Sequence, residues 1–169
     1  MKHILGPNSR SSLTAVQAED SQPNAVDLRL SKVHRINYKI FELSEDKKVH
    51  RGSEQMWPDE SGWYYLLPGH YEVIMENIIN VGENEAGWVI TRSTLNRNGV
   101  FLTSGLYDSG YHGAMAAVLH VTIGPLHVKQ GTRIGQYLSS DSESLTTYNG
   151  SYGFDSTGKP KQDEEKYHK

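Results

Sequence analysis

The sequence predicts an all-β domain, built as a sandwich or a barrel. Short runs rich in valine, isoleucine, leucine and aromatic residues recur along most of the chain, and turn signals such as Asn98-Gly99 and Gly124-Pro125 separate them. Strand patterns do not alternate with helix patterns, which argues against a doubly wound nucleotide-binding fold. The length of 169 residues fits one domain with a sizeable core.

The elements follow from this pattern in chain order. The N-terminal stretch is polar, and residues 11–20 within it are compatible with one short helix. Strands are predicted over residues 26–30, 33–43, 63–67, 71–75, 88–91, 100–103, 114–121, 126–128 and 134–138. We therefore expect a β domain over residues 1–138, a flexible glycine-rich arm over 139–158 and a disordered charged tail over 159–169.

Composition excludes several classes of protein. The chain contains no cysteine, which rules out a disulfide scaffold, a cysteine zinc site and thiol catalysis, and which is compatible with a reducing cytoplasm. Its net charge of −3 gives no support for binding DNA or RNA. No apolar run approaches the roughly 20 residues that cross a bilayer, and the histidines show no metal-ligand spacing. A cytoplasmic protein without nucleic-acid or membrane partners is expected.

A short polar motif follows the predicted strand 88–91. Residues 92–95 read Arg-Ser-Thr-Leu, and Arg97 comes soon after them. A serine hydroxyl and backbone amides at the start of a helical turn can hold phosphate oxygens, and the arginines can add charge-assisted hydrogen bonds. A capped turn with solvated arginines is the alternative interpretation.

Two further motifs contain candidate functional groups. The glycine-punctuated segment 105–113 carries Asp108, which could deprotonate a water, and Tyr111, whose ring could stack on a sugar or a base. Residues 149–158 combine glycines with hydroxyl side chains and one phenylalanine, a composition that can approach phosphate closely. An ordinary turn and a disordered Gly/Ser tail are the alternatives for these two segments.

Taken in chain order, these motifs resemble those of the trimeric dUTPase and dCTP deaminase superfamily. The resemblance runs from about residue 22 to residue 158, and any one motif alone would be a weak signal. Five motifs in the family's order argue against an accidental similarity. They are residues 24–30, 91–95, 105–113, 131–136 and 150–158.

The resemblance implies a distorted β-barrel or jelly roll of the β-clip type, with at most short helices. It also implies a homotrimer with active sites at the subunit interfaces, which hydrolyses dUTP to dUMP and pyrophosphate with Mg²⁺ on the triphosphate. Carried over by position, Asp108 would activate the attacking water, and Asp27 would hold waters of the Mg²⁺ shell. The implied substrate-binding residues are Arg92, Ser93, Thr94, Ser104, Gly105, Leu106, Tyr111, Arg133, Gln136, Phe154, Ser156 and Thr157.

Within that set the resemblance implies distinct tasks. Tyr111 would pack on the deoxyribose, and backbone groups of residues 104–106 would read the uracil edge. Phe154 would stack on the base as the arm closes. The contacts to phosphates would come from Arg92, Ser93 and Gln136, with Arg133 adding positive charge toward the triphosphate.

One position separates the two branches of this superfamily. Deaminases place a glutamate on the strand after the third motif, where it moves protons during deamination, and this chain has Val118 there. Because dUTPases have an apolar residue at that position, dUTP hydrolysis is the predicted activity. Segments 24–30 and 64–71 and Arg97 resemble the deaminase branch more closely, so dCTP deamination, alone or beside dUTP hydrolysis, is the alternative.

The arm departs from the dUTPase pattern. It has Asn149 where dUTPases usually have arginine, and Tyr152 and Asp155 replace small glycines. A catalytically impaired nucleotide-binding regulator is therefore a further alternative. These departures are compatible with a phage or viral source, in which case the location would be the host cytoplasm.

Overall fold

A computed structural model describes residues 1–164 of the chain. Nearly all of its regular structure is β, with one 3₁₀ turn at Ala18–Asp20 and one helical turn, α1, at Ser93–Asn96. Within the described residues the strands are β1 (Ser12–Leu13), β2 (Val26–Ile36), β3 (Glu42–Leu43), β4 (Lys48–Val49), β5 (Ser53–Met56), β6 (Trp63–Leu66), β7 (Gly69–Asn80), β8 (Glu85–Thr91), β9 (Val100–Thr103), β10 (His112–Val121), β11 (Leu126–Lys129) and β12 (Arg133–Asp141). The predicted all-β class is confirmed.

Most strands belong to one sheet of eight strands that curls into a distorted barrel. Its main order is β8-β12-β2-β7-β10-β9, with β1 added to β7 and β5 added to β2. The two end strands meet through side chains, because the Leu102 N–H donates to Thr91 Oγ1 (2.7 Å) and the Val89 N–H donates to Ser104 Oγ (2.9 Å). The hairpins β6–β11 and β3–β4 lie outside this sheet.

Alternating side chains of the long strands build the core. On β10, Met115 and Leu119 point inward and are almost fully buried, whereas Ala116 and Val118 face outward and are half-buried. A strand with one face on a hydrophobic core produces this alternation. The outer face of β10 and its neighbour β7 is therefore available to line a site.

Two predicted elements differ from the structure. The strand predicted over residues 33–43 ends at Ile36, where the Asn37 N–H donates to the Gly52 carbonyl (3.1 Å) and the chain leaves the sheet. The predicted helix over residues 11–20 is instead β1 followed by a turn, because pairing with β7 satisfies the backbone there, including the Thr14 N–H on the Ile78 carbonyl (3.0 Å). Sheet pairing overrides local preference in both cases.

Residues 142–164, here called the C-terminal segment, fold back on the barrel. The boundary of the β domain predicted at residue 138 is too early, because β12 continues to Asp141. The Tyr148 N–H donates to the Ser109 carbonyl (2.8 Å), and the Phe154 N–H donates to the His112 carbonyl (2.6 Å). Glycines permit this approach, since a Cβ on Gly113 would lie 2.6 Å from the Gly153 Cα.

Residues 159–164 also differ from the predicted disordered tail. The Glu164 side chain is fully buried, and its carboxylate accepts hydrogen bonds from the Ala114 N–H (3.0 Å) and the Gly153 N–H (2.8 Å). Two such bonds hold this stretch against β10, which composition alone could not indicate. The rest of the predicted tail, residues 165–169, lies outside the described residues. Within residues 1–164, no helix has the length and apolar character that a membrane crossing requires.

Candidate active site

A buried carboxylate organises one group of the predicted residues. Asp27 is 1% exposed, and its Oδ1 accepts a hydrogen bond from Gln136 Nε2 (2.9 Å). Its Oδ2 lies 3.3 Å from both Arg92 Nε and Arg133 Nη1. A buried carboxylate is costly unless it is paired, and these three partners pair it. We call these four residues the Asp27 cluster.

The strand register explains why these residues meet. Gln136 on β12 lies directly opposite Asp27 on β2, and Arg133 lies at the start of β12 beside a bulge in this pairing. Arg92 directly follows β8, whose last residue pairs with Gly135 on β12. Three neighbouring strands therefore bring the motifs of residues 24–30, 91–95 and 131–136 to one end of the sheet.

A second ion pair supports this end of the sheet. Arg29 makes a two-pronged contact with Asp20, Nη2 to Oδ1 at 2.7 Å and Nε to Oδ2 at 3.1 Å. Burial raises the pKa of Asp20, but the hydrogen bonds from Arg29 and from the Gln17 backbone outweigh this, so its pKa lies below its ordinary value. The ionised pair places the 3₁₀ turn near Arg133, which donates to the Glu19 carbonyl (2.9 Å).

Ser93 and Thr94 lie at the start of α1, beside the Asp27 cluster. Both side chains are exposed, as is Arg97 at the end of the turn. The Arg92 guanidinium also donates to the Arg133 carbonyl (3.1 Å), which fixes the chain entering this turn. Hydroxyl groups and guanidinium groups thus share one exposed polar surface.

Asp108 lies in a different place, on the hairpin of residues 104–111. Its side chain is exposed and lines a cavity of about 420 Å³ with Leu106, Ser109 and part of the C-terminal segment. The Tyr111 N–H donates to the Asp108 carbonyl (3.0 Å), and Gly110 closes this turn at a φ of +84°, which glycine adopts easily. The carboxylate is therefore held on a tight turn at a cavity wall.

Tyr111 is mostly buried below the same hairpin. Its hydroxyl donates to the Ala114 carbonyl (2.8 Å), and its ring packs edge-on against Tyr107 (5.3 Å) and Tyr148 (5.2 Å). Burial raises the pKa of Tyr111 well above its ordinary value, so the hydroxyl stays protonated. Tyr111 and Tyr148 face each other in a middle cavity of about 230 Å³.

A wider cavity of about 540 Å³ adjoins the middle one. It is lined by Ser104, Gly105 and the outward residues of β10, and it shares Gly105 and Tyr152 with the middle cavity. Leu106 and Tyr148 in turn connect the middle cavity to the Asp108 cavity. The three cavities share walls along residues 104–111, and we call them together the hairpin groove.

The predicted arm residues Phe154, Ser156 and Thr157 do not line the hairpin groove. The Phe154 ring packs against His112 (5.1 Å). Ser156 and Thr157 are exposed, and Thr157 donates from both its N–H and its hydroxyl to Asp155 Oδ1. Asp155 therefore caps this turn internally.

Within a single chain, the Asp27 cluster and the Asp108 end of the hairpin groove do not meet. Tyr107, next to Asp108, bridges to Gly87 near the start of β8, whereas Arg92 follows the other end of that strand. Gly87 and Arg92 are five residue steps apart along the strand, roughly 17 Å at about 3.3 Å per residue. The Asp27 cluster and the hairpin groove are thus separate surfaces of the barrel.

Several residues of the site were not singled out from the sequence. Glu72 of β7 lines the wide cavity opposite Val118. Tyr148 and Tyr152 roof the middle cavity, and Asp20 anchors Arg29. The contacts of Glu72 and Tyr148 join residues distant in the sequence, so no local motif indicates them.

The residues present do not form a cage for Mg²⁺. Within residues 1–164, no three His, Asp or Glu side chains converge as metal ligands would. Asp27 was expected to hold waters of a Mg²⁺ shell, but its oxygens face Gln136, Arg92 and Arg133 and it is buried. The carboxylate contacts two guanidinium groups, and its role toward Mg²⁺ stays a prediction.

Known proteins of one family resemble most of this chain. A family described as dCTP deaminase-like matches residues 6–139. A probable deoxyuridine 5'-triphosphate nucleotidohydrolase of Methanococcoides burtonii is 33% identical over 137 residues, which cover 78% of this chain and 79% of that protein. The deoxyuridine 5'-triphosphate nucleotidohydrolase of Methanocaldococcus jannaschii is 29% identical over 136 residues, 79% of this chain and 86% of that protein.

Solved structures show the same fold at lower identity. The dCTP deaminase of Agrobacterium tumefaciens superposes with a TM-score of 0.60 at 17% identity over 80% of this chain, which spans 45% of the length of that deaminase. A dUTPase of Staphylococcus bacteriophage 80alpha gives a TM-score of 0.51 at 10% identity over 88% of this chain and 95% of that one. Because the family match covers residues 6–139, well over half of the chain, this chain belongs to the dCTP deaminase-like family.

Proposed function

We propose that this protein hydrolyses dUTP to dUMP and pyrophosphate. The observation that carries the proposal is the exposed Asp108 carboxylate at one end of a groove whose middle is floored by Tyr111. The relatives named deoxyuridine 5'-triphosphate nucleotidohydrolases, about 30% identical over most of the chain, support the same substrate. The wide cavity would hold the base, the middle cavity the sugar and the Asp108 cavity the α-phosphate.

In this proposal Asp108 acts as the general base. Its carboxylate accepts a proton from a water, the water oxygen bonds to the α-phosphorus, and the bond to the β-phosphate oxygen breaks to release pyrophosphate. An exposed carboxylate on a tight turn can reach such a water without displacing core residues. Tyr111 would pack under the deoxyribose, and the backbone of Ser104, Gly105 and Leu106 would read the base.

The Asp27 cluster would bind the phosphates. Phosphoryl transfer depends mainly on positioning and charge stabilisation, and Asp27 holds the guanidinium groups of Arg92 and Arg133 in fixed directions. Ser93 and Thr94 would add hydroxyl donors from the adjacent turn, and Gln136 an amide. Mg²⁺ would enter on the triphosphate, since the residues present do not cage it and Mg²⁺ prefers phosphate oxygens.

We propose a homotrimer because a single chain holds the two groups of site residues apart. The two groups of residues lie roughly 17 Å apart along β8 at 3.3 Å per residue, so a site that uses both is completed when the groove of one subunit meets the Asp27 cluster of another. Phe154, Ser156 and Thr157 would then close over the nucleotide after the C-terminal segment rearranges. The cytoplasmic location and the absence of nucleic-acid partners stay predictions.

Deamination receives no support from the residue that the deaminase branch requires. Val118 faces the wide cavity and cannot transfer a proton. Incubation of the purified protein with dUTP, dCTP and dTTP, followed by separation of the products, tests the choice. Formation of dUMP and pyrophosphate from dUTP supports hydrolysis, whereas release of ammonia from dCTP would replace it with deamination.

The assignment of Asp108 as the general base is tested with a single substitution. Asp108→Asn should lower the rate of pyrophosphate release by about 10²–10⁴-fold, the usual contribution of a general base, with little change in nucleotide binding. The side chain is exposed, so the melting temperature should not change. Asp46→Asn, in the exposed turn between β3 and β4, is the matched control and should keep full turnover. An Asp108→Asn protein with normal turnover would refute this role.

A further inference from the structure

Two histidines meet on the outer face of the sheet. His70 on β7 and His120 on β10 lie directly opposite each other in the strand register, and their Nδ1 atoms are 2.8 Å apart. Directly opposed residues of an antiparallel pair project from the same face, which explains why the two rings converge. Because 50 positions separate the two residues in the chain, spacing along the sequence could not indicate this pair.

Neighbours on β9 hold the ring of His120. Its Nε2 lies 2.8 Å from the hydroxyl oxygen of Thr103, and the Phe101 ring stacks on it at a centroid distance of 4.6 Å. When the Nε2–H donates to Thr103, the Nδ1 atom carries a lone pair that faces His70. A hydrogen bond from the outer ring nitrogen is what fixes the tautomer and the orientation of histidines that bind metals.

His70 is the accessible member of the pair, since its side chain is exposed. A neutral imidazole carries one N–H, so the contact between the two Nδ1 atoms is a hydrogen bond with a single shared hydrogen. A metal ion can replace that hydrogen, which then moves to Nε2 of His70 while Nδ1 gains a lone pair. No proton is lost overall, and a rotation of the exposed ring aims the lone pair at the ion.

The distance between the two nitrogens indicates which kind of ion fits. Imidazole nitrogens bind metals at about 2.0–2.1 Å, so two nitrogens 2.8 Å apart subtend an angle of about 86° at the ion. That angle is close to the right angle of square coordination and well below the tetrahedral angle. Square coordination by nitrogen and oxygen ligands is typical of Cu²⁺ and Ni²⁺, and Cu²⁺ binds such sites most strongly.

We propose that His70 and His120 form a binding site for a divalent transition metal ion of square coordination, with Cu²⁺ as the tightest ligand and water in the other positions. The pair lies two residues along both strands from Glu72 and Val118, about 7 Å at about 3.4 Å per residue. It is not among the residues that line the wide cavity. The site is therefore distinct from the proposed position of the nucleotide and does not depend on dUTP hydrolysis.

The test is a titration of the full-length, untagged protein with Cu²⁺, supplied as its glycine complex and followed by calorimetry. The protein carries His3→Ala, because a histidine at the third position can bind Cu²⁺ together with the terminal amine. We expect one equivalent of Cu²⁺ and an electron paramagnetic resonance spectrum with coupling to two imidazole nitrogens. Zn²⁺, which prefers tetrahedral sites, should bind more weakly.

Substitutions in the same background separate the ligands from their support. His70→Ala and His120→Ala should each lower the affinity for Cu²⁺ by at least about 100-fold, the upper end of what loss of a hydrogen-bond partner of a ligand costs. Thr103→Val removes such a partner and should lower the affinity by about tenfold. The matched control is His127→Ala, an exposed histidine on β11 outside the pair, which should bind Cu²⁺ normally.

The spectrum of the parent protein needs no variant at the pair, so the proposal can be refuted even if an alanine variant fails to fold. Absence of Cu²⁺ binding, or coupling to a single nitrogen, would overturn it. So would an unchanged affinity in folded His70→Ala and His120→Ala, whereas tighter binding of Zn²⁺ than of Cu²⁺ would refute the square geometry. Neither readout involves pyrophosphate release, so failure here leaves the proposed hydrolysis intact.

Discussion

In the Asp27 cluster every charged partner is anchored on or beside a strand, whereas in the hairpin groove part of the wall belongs to the C-terminal segment. The register of β2, β12 and β8 holds Asp27 with Arg92 and Gln136. The groove is roofed by Tyr148 and Tyr152, whose segment is attached by separate hydrogen bonds. The first region is therefore suited to hold charge in fixed directions, and the second to open and close.

The largest expected effect comes from replacing Asp27, which pairs with the charged residues of the Asp27 cluster. Asp27→Ala leaves two guanidinium groups without their buried partner, and we expect the free energy of unfolding to fall by about 3 kcal/mol. Urea denaturation measures this loss. Asp46→Ala, which removes an exposed carboxylate on the β3–β4 turn, should change stability by less than about 0.5 kcal/mol.

A small loss of unfolding free energy in Asp27→Ala would contradict the distinction between the Asp27 cluster and the hairpin groove. If the variant lost less than about 1 kcal/mol, the range of a partly exposed ion pair, strand anchoring would not distinguish the cluster from the groove. The two arginines would then have to find other acceptors or solvent when the carboxylate is absent.

An intermediate effect is expected at the attachment of the C-terminal segment. Glu164 is buried and accepts the N–H groups of Ala114 and Gly153, so Glu164→Ala leaves two donors without their acceptor. We expect a loss of about 1–2 kcal/mol and faster hydrogen exchange at those two amides. The amide of Leu119, deep in β10, should exchange at its normal rate.

The matched variant at this end is Glu143→Ala, whose side chain is exposed. It should leave exchange at Ala114 and Gly153 unchanged. Faster exchange throughout β10 in Glu164→Ala would instead mean that the segment and the barrel unfold as one unit, and the contrast between a fixed and an opening region would be lost.

The smallest expected effect is a loss of stability at low pH. Burial raises the pKa of Asp163, but hydrogen bonds from Lys48 (2.7 Å) and Ser151 (2.6 Å) outweigh this and keep its pKa below the ordinary 3.8. A lowered pKa stabilises the fold above the ordinary value, and the stabilisation is lost as pH falls below it. Because Lys48 is partly exposed, the contribution should stay under about 1 kcal/mol.

This acid effect is measured as the protection factor of the Asp163 amide, which donates to the Ser151 carbonyl (3.0 Å). Protection should fall in the wild-type protein as the pH is lowered below about 3.8. Lys48→Gln removes the cationic partner and should weaken that pH dependence. An equal fall in both proteins would assign the effect to another carboxylate.

The fold class and the motifs of the candidate site could be predicted from the sequence. Strand patterns and turn residues are local, and the motifs that contain Asp27, Arg92 and Gln136 were found by inspection. Their meeting at one end of the sheet depends on strand register, which the sequence does not display. Register also gives Asp27 two arginine neighbours, Arg92 and Arg133, which no local motif indicates. The role of Asp27 toward Mg²⁺ stays a prediction.

Some contacts around the hairpin groove could not be predicted in the same way. Glu72 faces the wide cavity only because β7 pairs with β10, and Glu164 meets Ala114 across fifty positions of the chain. The composition of residues 159–164 is that of a solvated tail, and burial of one carboxylate against backbone donors reverses that expectation. Long-range contacts of single residues leave no local pattern to detect.

The seam between β8 and β9 has a consequence for both regions. Two hydroxyl groups bridge it, those of Thr91 and Ser104, and each accepts a backbone N–H of the facing strand. Thr91 immediately precedes Arg92, and Ser104 opens the loop that ends in Asp108. Removal of either hydroxyl would leave a main-chain donor unmatched at the joint, so the same two oxygen atoms that complete the wall also fix the Asp27 cluster relative to the hairpin groove.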